Sequence, residues 1–293
     1  MIGRFLGRGS VPLSRLANLR ALSPRERFFQ VANALLVPVL AERLHVAHVV
    51  EFPKCGGSWV RNSILTYLGK TPNVNARLVS RDDVLHGHRL HRSFYRWPII
   101  VVRDPRDTYA SLFHHETTLN RVRDVPTVFD RHFRRTPGRD LRDEFADYLE
   151  VRLRGRFHPY FTYSDFVESW LDRPGICLVR YEDMLARPEA ELSRILAFLG
   201  LAADPERVRA AVAENSFANQ TRRLYGSERA PGQEDATKFL RKGVSGDWKN
   251  HFDERSCRIF WEVEGGALRR LGYAGDRGWI DDFVRERRGG NAA

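Results

Sequence analysis

The segment from Glu51 to Trp59 contains the residue types of a phosphate-binding turn. Its order is Glu51-Phe52-Pro53-Lys54-Cys55-Gly56-Gly57-Ser58-Trp59. The glycines let backbone N–H groups wrap around an anion, and a helix that starts here adds its dipole and its free N–H donors. Lys54 adds a positive charge and Ser58 a hydroxyl donor. A Walker loop ends in Gly-Lys-Ser/Thr, whereas here the lysine comes first, so metal-dependent NTP hydrolysis is disfavoured. A strand-to-helix turn without a ligand would use the same residues.

Arg103 follows the apolar run 99–102 and can make a bidentate contact with a phosphate. Ser111 comes eight residues later, in a helical stretch, and could donate to the same anion. The alternative interpretation is a solvated salt-bridge cluster, because Arg103 is followed closely by Asp104, Arg106 and Asp107.

A third segment is dense in basic residues, glycines and aromatic residues. It reads Phe239-Leu240-Arg241-Lys242-Gly243-Val244-Ser245-Gly246-Asp247-Trp248-Lys249-Asn250. Arg241 and Lys242 next to Gly243 would form a flexible clamp for an exposed phosphate. The alternative is a basic surface loop.

The elements that must position these segments are short strands and helices in alternation. Strands are predicted over Val46–Phe52, Pro98–Val102 and Ile176–Arg180, because these runs are short, apolar and bounded by turn residues. Helical spacing follows over Trp59–Leu68 and over Pro188–Leu199, which ends at a glycine. The pattern predicts an α/β fold, P-loop-like and three-layered, with a central parallel sheet flanked by helices. Ligands then bind at the carboxyl ends of the strands.

Composition excludes several classes of protein. The chain has 293 residues and 42% hydrophobic residues, which is typical of a soluble globular protein. It has three cysteines, too few for a disulfide framework or a zinc cluster, so a reducing compartment is expected. No apolar run reaches the length of a membrane span. Lys and Arg exceed Asp and Glu by 48 to 37, a net charge of +11 that favours anionic partners.

Three regions are predicted along the chain. Residues 1–45 form a basic helical extension rather than a signal peptide, because Asn33 and Pro38 interrupt its apolar part. Its basic and apolar character is compatible with contact to a membrane surface. Residues 46–284 form a single domain, in which residues 119–170 are a mobile, arginine-rich insertion. Residues 285–293 are expected to be a disordered tail.

Taken in this order, the three segments resemble the sulfotransferase family that uses 3′-phosphoadenosine 5′-phosphosulfate (PAPS). In that family a Pro-Lys-Ser-Gly-Thr-Thr-Trp loop holds the 5′-phosphosulfate, and an Arg and a Ser spaced by eight residues hold the 3′-phosphate. An Arg-Lys-Gly-x-x-Gly-Asp-Trp-Lys-Asn segment closes over the nucleotide. Two shorter matches are Arg180-Tyr181-Glu182-Asp183-Met184 and Asn215-Ser216-Phe217. The resemblance covers roughly residues 47–275.

The resemblance implies the donor-binding residues. PAPS is the expected co-substrate, with 3′,5′-ADP as product and no metal. Lys54 would stabilise the oxygen that leaves with the phosphate. The expected nucleotide ligands are Lys54, Cys55, Gly56, Gly57, Ser58, Trp59, Arg103, Ser111, Tyr181, Phe217, Arg241, Lys242 and Gly243.

Two histidines align with a Lys-Thr-His segment of the family. His88 takes the place of the general base, a role that suits a neutral imidazole. His86 takes the place of a lysine that approaches the sulfuryl group, so we expect it to contribute only when protonated. The expected catalytic residues are therefore His88, Lys54 and His86. A zinc site at His86, His88 and His91 is the alternative, but no carboxylate or thiol partner is apparent nearby.

Other departures from the family concern the loop and the dimer. Cys55 replaces a serine, which the loop should tolerate because its backbone does most of the binding. Gly57 replaces a threonine, so one hydroxyl donor is lost and somewhat weaker donor binding is expected. The family's short dimer motif is absent after Asn250, where Asp253 and Glu254 replace Thr-Val, so the oligomeric state stays open.

The acceptor stays open between a small molecule, a glycan and a lipid, and between a hydroxyl and an amine. Arginines of the insertion could bind an anionic head group, whereas Phe157, Tyr160, Phe161 and Tyr163 could line a pocket for a flat phenol. A solvated insertion without a binding role is the alternative. Two alternative functions are a P-loop small-molecule kinase and a non-catalytic polyanion-binding protein. Nucleic acid is not an expected partner, and the expected location is cytoplasmic and compatible with the membrane periphery.

Overall fold

Four parallel strands form the centre of the molecule. The computed structural model describes residues 23–71, 77–93, 95–122 and 127–290. Within them the strands lie in the order β2-β1-β3-β4. They are β1 (Ala47–Glu51), β2 (Val84–Gly87), β3 (Pro98–Val102) and β4 (Cys177–Arg180). In β1, Val50 pairs with Gly87 on one side and with Ile100 on the other. The predicted α/β fold with a parallel sheet flanked by helices is confirmed.

Strand β3 is a continuous apolar run, and β1 is apolar except for His48 and Glu51. Every residue of β1 and β3 is buried, as expected for parallel strands covered on both faces. Strand β2 is not predicted by the sequence, because it contains only two apolar residues, Val84 and Leu85, before His86. Its pairing with β1 places His86 beside the end of that strand, since Val49 is the partner of His86.

The helices surround this sheet. They are α1 (Pro24–Leu40), α2 (Gly57–Tyr67), α3 (Pro105–His114), α4 (Asn120–Val122), α5 (Leu141–Arg154), α6 (Tyr163–Trp170), α7 (Tyr181–Ala186), α8 (Pro188–Phe198), α9 (Pro205–Glu214), α10 (Phe217–Tyr225), α11 (Glu254–Leu271) and α12 (Gly278–Gly290). A π-helical turn spans His115–Leu119, and 3₁₀ turns span Phe129–Arg131 and Asp247–Asn250. Helix α2 starts two residues earlier than predicted, and helix α8 ends one residue earlier than predicted.

The order of the strands creates the crevice in which a ligand can bind. After β1 the chain passes through α2 to β2 on one side of β1, and β3 then lies on the other side. The connections that leave β1 and β3 therefore diverge at the carboxyl edge of the sheet, which is the usual position of a ligand site. The loop from Phe52 to Gly56 and residues Arg103 and Asp104 lie at this edge.

Part of the arginine-rich insertion packs into the core. Helix α5 packs against α11, and its Phe145 and Tyr148 are fully buried. Arg152 forms a buried ion pair with Glu116 at 3.3 Å. The sequence did not predict this packing, because arginines that pair with acids look solvated in a local pattern.

The carboxyl end differs from the predicted tail. Helix α12 continues through Gly290, so residues 285–290 are helical rather than disordered. The reason is packing: Ile280 and Phe283 are buried, and the Arg287 side chain donates a 2.7 Å hydrogen bond to the carbonyl of Phe252. Residues 291–293 lie outside the described residues.

The amino-terminal extension contains helix α1. Ser23 caps its start in a capping box with Glu26. Asn33, which interrupts the apolar pattern, docks the helix: its side chain donates to the carbonyl of Arg77 and accepts from the N–H of Val79. Residues 1–22 of the predicted extension lie outside the described residues. No helix in the described part of the chain is long and apolar enough to cross a membrane.

Candidate functional site

The loop between β1 and α2 has the backbone of an anion-binding turn. Lys54 and Gly56 both have a positive φ, at 78° and 99°. A Cβ on Gly56 would lie 2.8 Å from the ring of Tyr181, so this position requires glycine. Helix α2 starts at Gly57, and Ser58 lies half-buried in its first turn. The first N–H groups of a helix have no partner within it, which makes this turn suitable for an anion.

Cys55 contributes to the loop through its backbone. Its side chain is fully buried, with the sulfur 3.6 Å from the Tyr163 hydroxyl and 3.7 Å from Oγ1 of Thr108. Burial raises the pKa of this thiol well above its ordinary value, so it stays neutral. The side chain at this position therefore belongs to the core.

Lys54 joins the loop to the third segment. Its ammonium nitrogen lies 3.9 Å from the centre of the Phe239 ring, within the range of a cation–π contact. Phe239 begins the segment 239–250, so the structure brings the first and third predicted segments together.

Arg103 lies between these two segments. The residue is 7% exposed. The guanidinium donates to the carbonyl of Val244 at 2.8 Å and to that of Lys54 at 3.4 Å, and it lies over the Tyr181 ring at 4.4 Å. Its Nε is buried and has no hydrogen-bond partner among the described residues. A buried guanidinium with an unused N–H at the sheet edge suits a phosphate oxygen.

The charges that follow Arg103 do not form a solvated cluster. Asp104, Arg106 and Asp107 are all buried. Asp104 pairs with Arg106 at 2.7 Å, and burial raises the pKa of the Asp104 carboxyl despite this partner. Ser111, the predicted partner of Arg103 in phosphate binding, lies in α3 and is partly exposed.

Asp107 holds the third segment against α3. Its carboxylate accepts hydrogen bonds from the N–H groups of Gly246 (2.6 Å) and Trp248 (2.7 Å), and the Ser245 hydroxyl lies 3.3 Å away. Sequence reasoning assigned Asp107 no part in the site. Its position could have indicated this role, because a residue four positions after Arg103 at the start of a helix is placed to face the arginine side chain. In the structure the two side chains lie 3.8 Å apart.

The cations of the third segment are paired with acids. Arg241 and Lys242 both contact Asp247, and Arg241 also contacts Glu234. Burial opposes ionisation of Asp247, but the two cations hold the pKa of its carboxyl well below the ordinary value. Arg241 is only 8% exposed, so the alternative of a basic surface loop does not describe it.

The predicted aromatic residues fall into two groups. Trp59 and Tyr181 are in edge contact, with ring centres 5.8 Å apart, next to Arg103. Phe217 lies against Gly243, where a Cβ would come within 2.5 Å of the ring. Gly243 also has a φ of 70°, so close approach and backbone conformation both require glycine.

The two aligned histidines meet at Glu51. The Nε2 of His86 lies 2.9 Å from Oε1 of Glu51. The Nδ1 of His88 lies 3.2 Å from the backbone carbonyl of Glu51, an oxygen that can only accept, so Nδ1 carries the proton. Nε2 of His88 is then the basic nitrogen. Burial lowers the pKa of His88, which makes the neutral imidazole the dominant form near neutral pH.

Glu51 is the second residue that sequence reasoning missed. The expectation that no carboxylate lies near the histidines is wrong, because ligand atoms of Glu51, His86 and His88 lie within 4.8 Å of one another, close enough to hold a metal ion. His91 does not join them, since its ring packs against Trp170 at 4.9 Å. The absence of a metal therefore stays a prediction. A signal for Glu51 was its place at the carboxyl end of a strand.

The aromatic residues proposed for the acceptor pocket separate into core and surface. Tyr163 is fully buried, and its hydroxyl donates to the carbonyl of Arg103 at 2.8 Å. Phe157 is buried as well. Tyr160 is 44% exposed and lies next to His158, whose ring is 5.8 Å from that of His88. His158 is therefore an aromatic neighbour of the expected base, and Tyr160 in turn lies next to His158.

The structure thus brings an anion loop, a buried arginine and a pair of histidines to the carboxyl edge of a parallel α/β sheet. Residues 96–272 match the family model described as the sulfotransferase domain. The chain belongs to this family. Sulfotransferase 6B1 of Danio rerio is 25% identical over 242 residues, which are 73% of this chain and 75% of that protein. Human sulfotransferase 2B1 is 29% identical over 55% of this chain, an alignment that spans only 41% of the human protein.

Solved structures show the same fold. Mouse sulfotransferase SULT7A1, crystallised with PAP, superposes with a TM-score of 0.54 at 21% identity, over 82% of this chain and 89% of the mouse chain. Retinol dehydratase, crystallised with retinol and PAP, has a TM-score of 0.54 at 17% identity, over 84% of this chain and 95% of its own.

Proposed function

We propose that this protein is a sulfotransferase that transfers the sulfuryl group of PAPS to a hydroxyl or amine of a small-molecule acceptor. The observation that carries the proposal is the position of Arg103. Its guanidinium bonds to the carbonyls of Lys54 and Val244, which joins the loop to the segment that would cover a nucleotide, and its buried Nε is left for a ligand. A donor with anionic groups at both ends needs cations at separate places, and this arrangement supplies them.

The residues at the sheet edge suit such a donor. The loop from Lys54 to Ser58 would hold the 5′-phosphosulfate, and Arg103 with Ser111 the 3′-phosphate. Trp59, Tyr181 and Phe217 would contact the adenine. Arg241, Lys242 and Gly243 would close over the nucleotide, for which the two cations have to leave Asp247 and Glu234.

PAPS supplies an activated sulfuryl group, whose bond to the 5′-phosphate oxygen breaks in the transfer. His88 accepts, at Nε2, the proton that the acceptor loses as its oxygen or nitrogen bonds to sulfur. Its Nδ1–H stays on the carbonyl of Glu51, which holds the ring in the tautomer that can act as a base. The Lys54 ammonium stabilises the charge that develops on the departing phosphate oxygen.

Charge pairing in the insertion favours a small acceptor over an anionic glycan. Four of its arginines bond to acids of the same chain: Arg135 to Glu144, Arg139 to Asp147, Arg152 to Glu116 and Arg154 to Glu150. These four cations are already partnered, whereas the ring of His158 lies 5.8 Å from that of His88, and Tyr160 lies next to His158. A panel of phenols and alkyl alcohols against sulfated and unsulfated oligosaccharides would test this preference, and turnover of the oligosaccharides alone would contradict it.

We propose that helix α1 contacts an anionic membrane surface. Four apolar side chains at helical spacing are more than half exposed: Phe28, Val31, Leu35 and Val39. Exposed arginines flank this stripe at 25, 27 and 43. Residues 1–22 add four arginines and no acid. An apolar stripe bordered by cations is complementary to anionic lipid.

Vesicle cosedimentation tests the membrane contact. We expect the full chain to bind vesicles that contain phosphatidylglycerol more strongly than vesicles of phosphatidylcholine alone. Leu35→Glu should abolish this binding, whereas Gln30→Glu, the same charge change at an exposed polar position of α1, should retain most of it. Equal binding by both variants, or no vesicle binding together with self-association in sedimentation equilibrium, would refute the membrane surface as the partner.

The donor is tested by calorimetric titration with adenosine 3′,5′-bisphosphate, the stable product, beside ATP with and without magnesium. We expect micromolar or tighter binding of the bisphosphate without metal and much weaker binding of ATP. Arg103→Ala should abolish binding, and Arg209→Ala, an exposed arginine of α9, should leave it unchanged. A preference for ATP with magnesium would favour a kinase. Binding of any polyanion with equal affinity would favour a non-catalytic binder.

A further inference from the structure

Three side chains that can ligate a metal ion meet at the carboxyl edge of the sheet. Glu51 is the last residue of β1, His86 belongs to β2, and His88 follows that strand. One ligand atom of each residue lies within 4.8 Å of the ligand atoms of the other two. The pairing of the parallel strands β1 and β2 brings these residues together, and they form a Glu-His-His cluster.

A carboxylate with two imidazoles is a ligand set for a transition-metal dication. Zinc is bound by histidine nitrogen and by glutamate oxygen, and a site with three protein ligands leaves one position open. Imidazole suits copper and nickel as well. Mg²⁺ and Ca²⁺ take oxygen ligands, so two imidazoles do not suit them. The chemistry of the Glu-His-His cluster therefore selects ions of the zinc type.

The distances within the Glu-His-His cluster are close to those of a tetrahedral metal site. Ligand atoms that lie about 2.0–2.2 Å from a zinc ion are about 3.3–3.6 Å from one another. Nε2 of His86 is 2.9 Å from Oε1 of Glu51, so this pair would have to open only slightly to admit an ion. The widest separation, at most 4.8 Å, would have to close by about 1 Å.

Two of the three ligands are already oriented by a second hydrogen bond, as metal ligands usually are. The other carboxylate oxygen of Glu51 accepts a 2.5 Å bond from the N–H of Gly57. Nδ1 of His88 donates to the backbone carbonyl of Glu51 at 3.2 Å, which leaves Nε2 of that ring as the nitrogen that can bind an ion. Both bonds can persist when a metal is bound, so the cluster is largely preorganised.

The Glu-His-His cluster is accessible from its histidine side. Glu51 is 3% exposed, so its carboxylate lies at the bottom of the cluster. His86 and His88 are both partly exposed, which gives an ion a path from solvent. A Cβ on Gly57 would lie 2.7 Å from Cδ of Glu51 and 2.9 Å from Nε2 of His86. The glycine at 57 therefore keeps the space that this pair of ligands needs.

We propose that Glu51, His86 and His88 bind a dication of the zinc type, and that the bound ion blocks sulfuryl transfer. The ion would occupy Nε2 of His88, the nitrogen that accepts the proton of the acceptor in the proposed function, on which this second part of the inference rests. The proposed reaction uses no metal, so the ion acts as an inhibitor and the metal-free chain is the active form.

Calorimetric titration of the metal-free, untagged full chain with zinc tests the site itself. We expect one zinc ion per chain at micromolar or tighter affinity, and no binding of Mg²⁺ at the same concentrations. Co²⁺ bound at the same place should give the visible absorption of a tetrahedral site. The three cysteines are buried, so this absorption would report nitrogen and oxygen ligands. Absence of zinc binding would refute the inference.

Variants of the ligands locate the site. Glu51→Gln and His86→Gln should each weaken zinc binding by at least about tenfold, since even the hydrogen-bond partners of metal ligands typically contribute about 10–100-fold. His91→Ala is the matched control and should bind zinc like the wild type, because its ring packs against Trp170. Zinc binding that survives both ligand variants, or that is lost in His91→Ala instead, would refute the site. If Glu51→Gln does not fold, the result for His86→Gln decides.

Inhibition is measured at saturating PAPS with a competent acceptor. Zinc should stop turnover at concentrations near its calorimetric dissociation constant, and a chelator should restore the rate. In His86→Gln, half-inhibition relative to the zinc-free rate of that variant should require at least about tenfold more zinc. Full activity of the zinc-loaded wild type would refute the inhibitory role. Absence of bisphosphate binding by the metal-free chain would refute the proposed function instead, and the cobalt spectrum tests the metal site independently of activity.

Discussion

The backbone N–H of Trp248 donates a 2.7 Å hydrogen bond to the carboxylate of Asp107, across 141 residues of sequence. This bond, with the one from Gly246, attaches the segment that would cover the nucleotide to the helix that follows β3. Arg103 lies 3.8 Å from the same carboxylate, so the pair of Asp107 and Trp248 sets the distance between the two predicted phosphate segments.

Asp107→Ala should therefore loosen the site as well as destabilise the protein. The backbone N–H groups of Gly246, which is exposed, and of Trp248, which is buried, lose their acceptor, and a buried unsatisfied group costs about 1–3 kcal/mol. We expect a lower free energy of unfolding in urea and bisphosphate affinity reduced by at least about tenfold, the effect of about 1.4 kcal/mol. Ser245→Ala removes only the longer 3.3 Å contact to Asp107 and should change both quantities little. Wild-type affinity in Asp107→Ala would contradict this role.

Lys54→Ala should reduce kcat by about 10²–10³, the cost of losing one donor that stabilises a developing oxyanion. The loss should fall on kcat rather than on folding, because the ammonium contacts the partly exposed Phe239 ring. Steady-state kinetics with a competent acceptor would measure it. Lys70→Ala, beyond the opposite end of α2, removes the same charge far from the loop and should leave kcat unchanged. Equal losses in the two variants would indicate a general effect of charge.

His88→Ala should reduce kcat by about 10²–10⁴, as expected for a general base. His91→Ala is the matched control, since its ring packs against Trp170 and the structure does not place it with Glu51 and His86. If His88→Ala retains most of its activity while His91→Ala loses it, the base has been assigned to the wrong histidine.

The rate should fall at acidic pH. His88 acts as a base only when neutral, and since burial lowers its pKa from the ordinary 6.5, the fall should come at a pH below that value. The measurement is kcat across a buffer series, and a rate that does not fall on the acid side would exclude His88 as the general base.

Gly57→Ala should destabilise the protein by about 1–3 kcal/mol, because the added Cβ would overlap Glu51 and His86. Chemical denaturation measures this change. Gly266→Ala is the control within α11: its Cβ would meet only the Ser164 hydroxyl, at an ordinary 3.7 Å, so the helix should gain about 0.5–1 kcal/mol. If Gly57→Ala has the same free energy of unfolding as the wild type, Glu51 and His86 can move to make room for the methyl group without a cost in stability.

Local patterns predicted the parts of the site that are continuous in sequence. The apolar runs of β1, β3 and β4, the lysine and glycines of the loop, and Arg103 at a strand end are all visible within a few residues. The predicted parallel sheet places these segments at one edge, and the structure confirms that placement.

Pairing between distant residues was decided only by the tertiary structure. His86 is close to Glu51 because β2 pairs with β1, and Asp107 binds the third segment because α3 and that segment lie side by side. Arg241 and Lys242 look like free cations in the sequence but are bound to Asp247 and Glu234. The sequence by itself determined the fold class, the family and the segments that would hold the donor, since these depend on local residue order. The counterion of each charge depends on burial and on chain packing, and a local pattern contains neither.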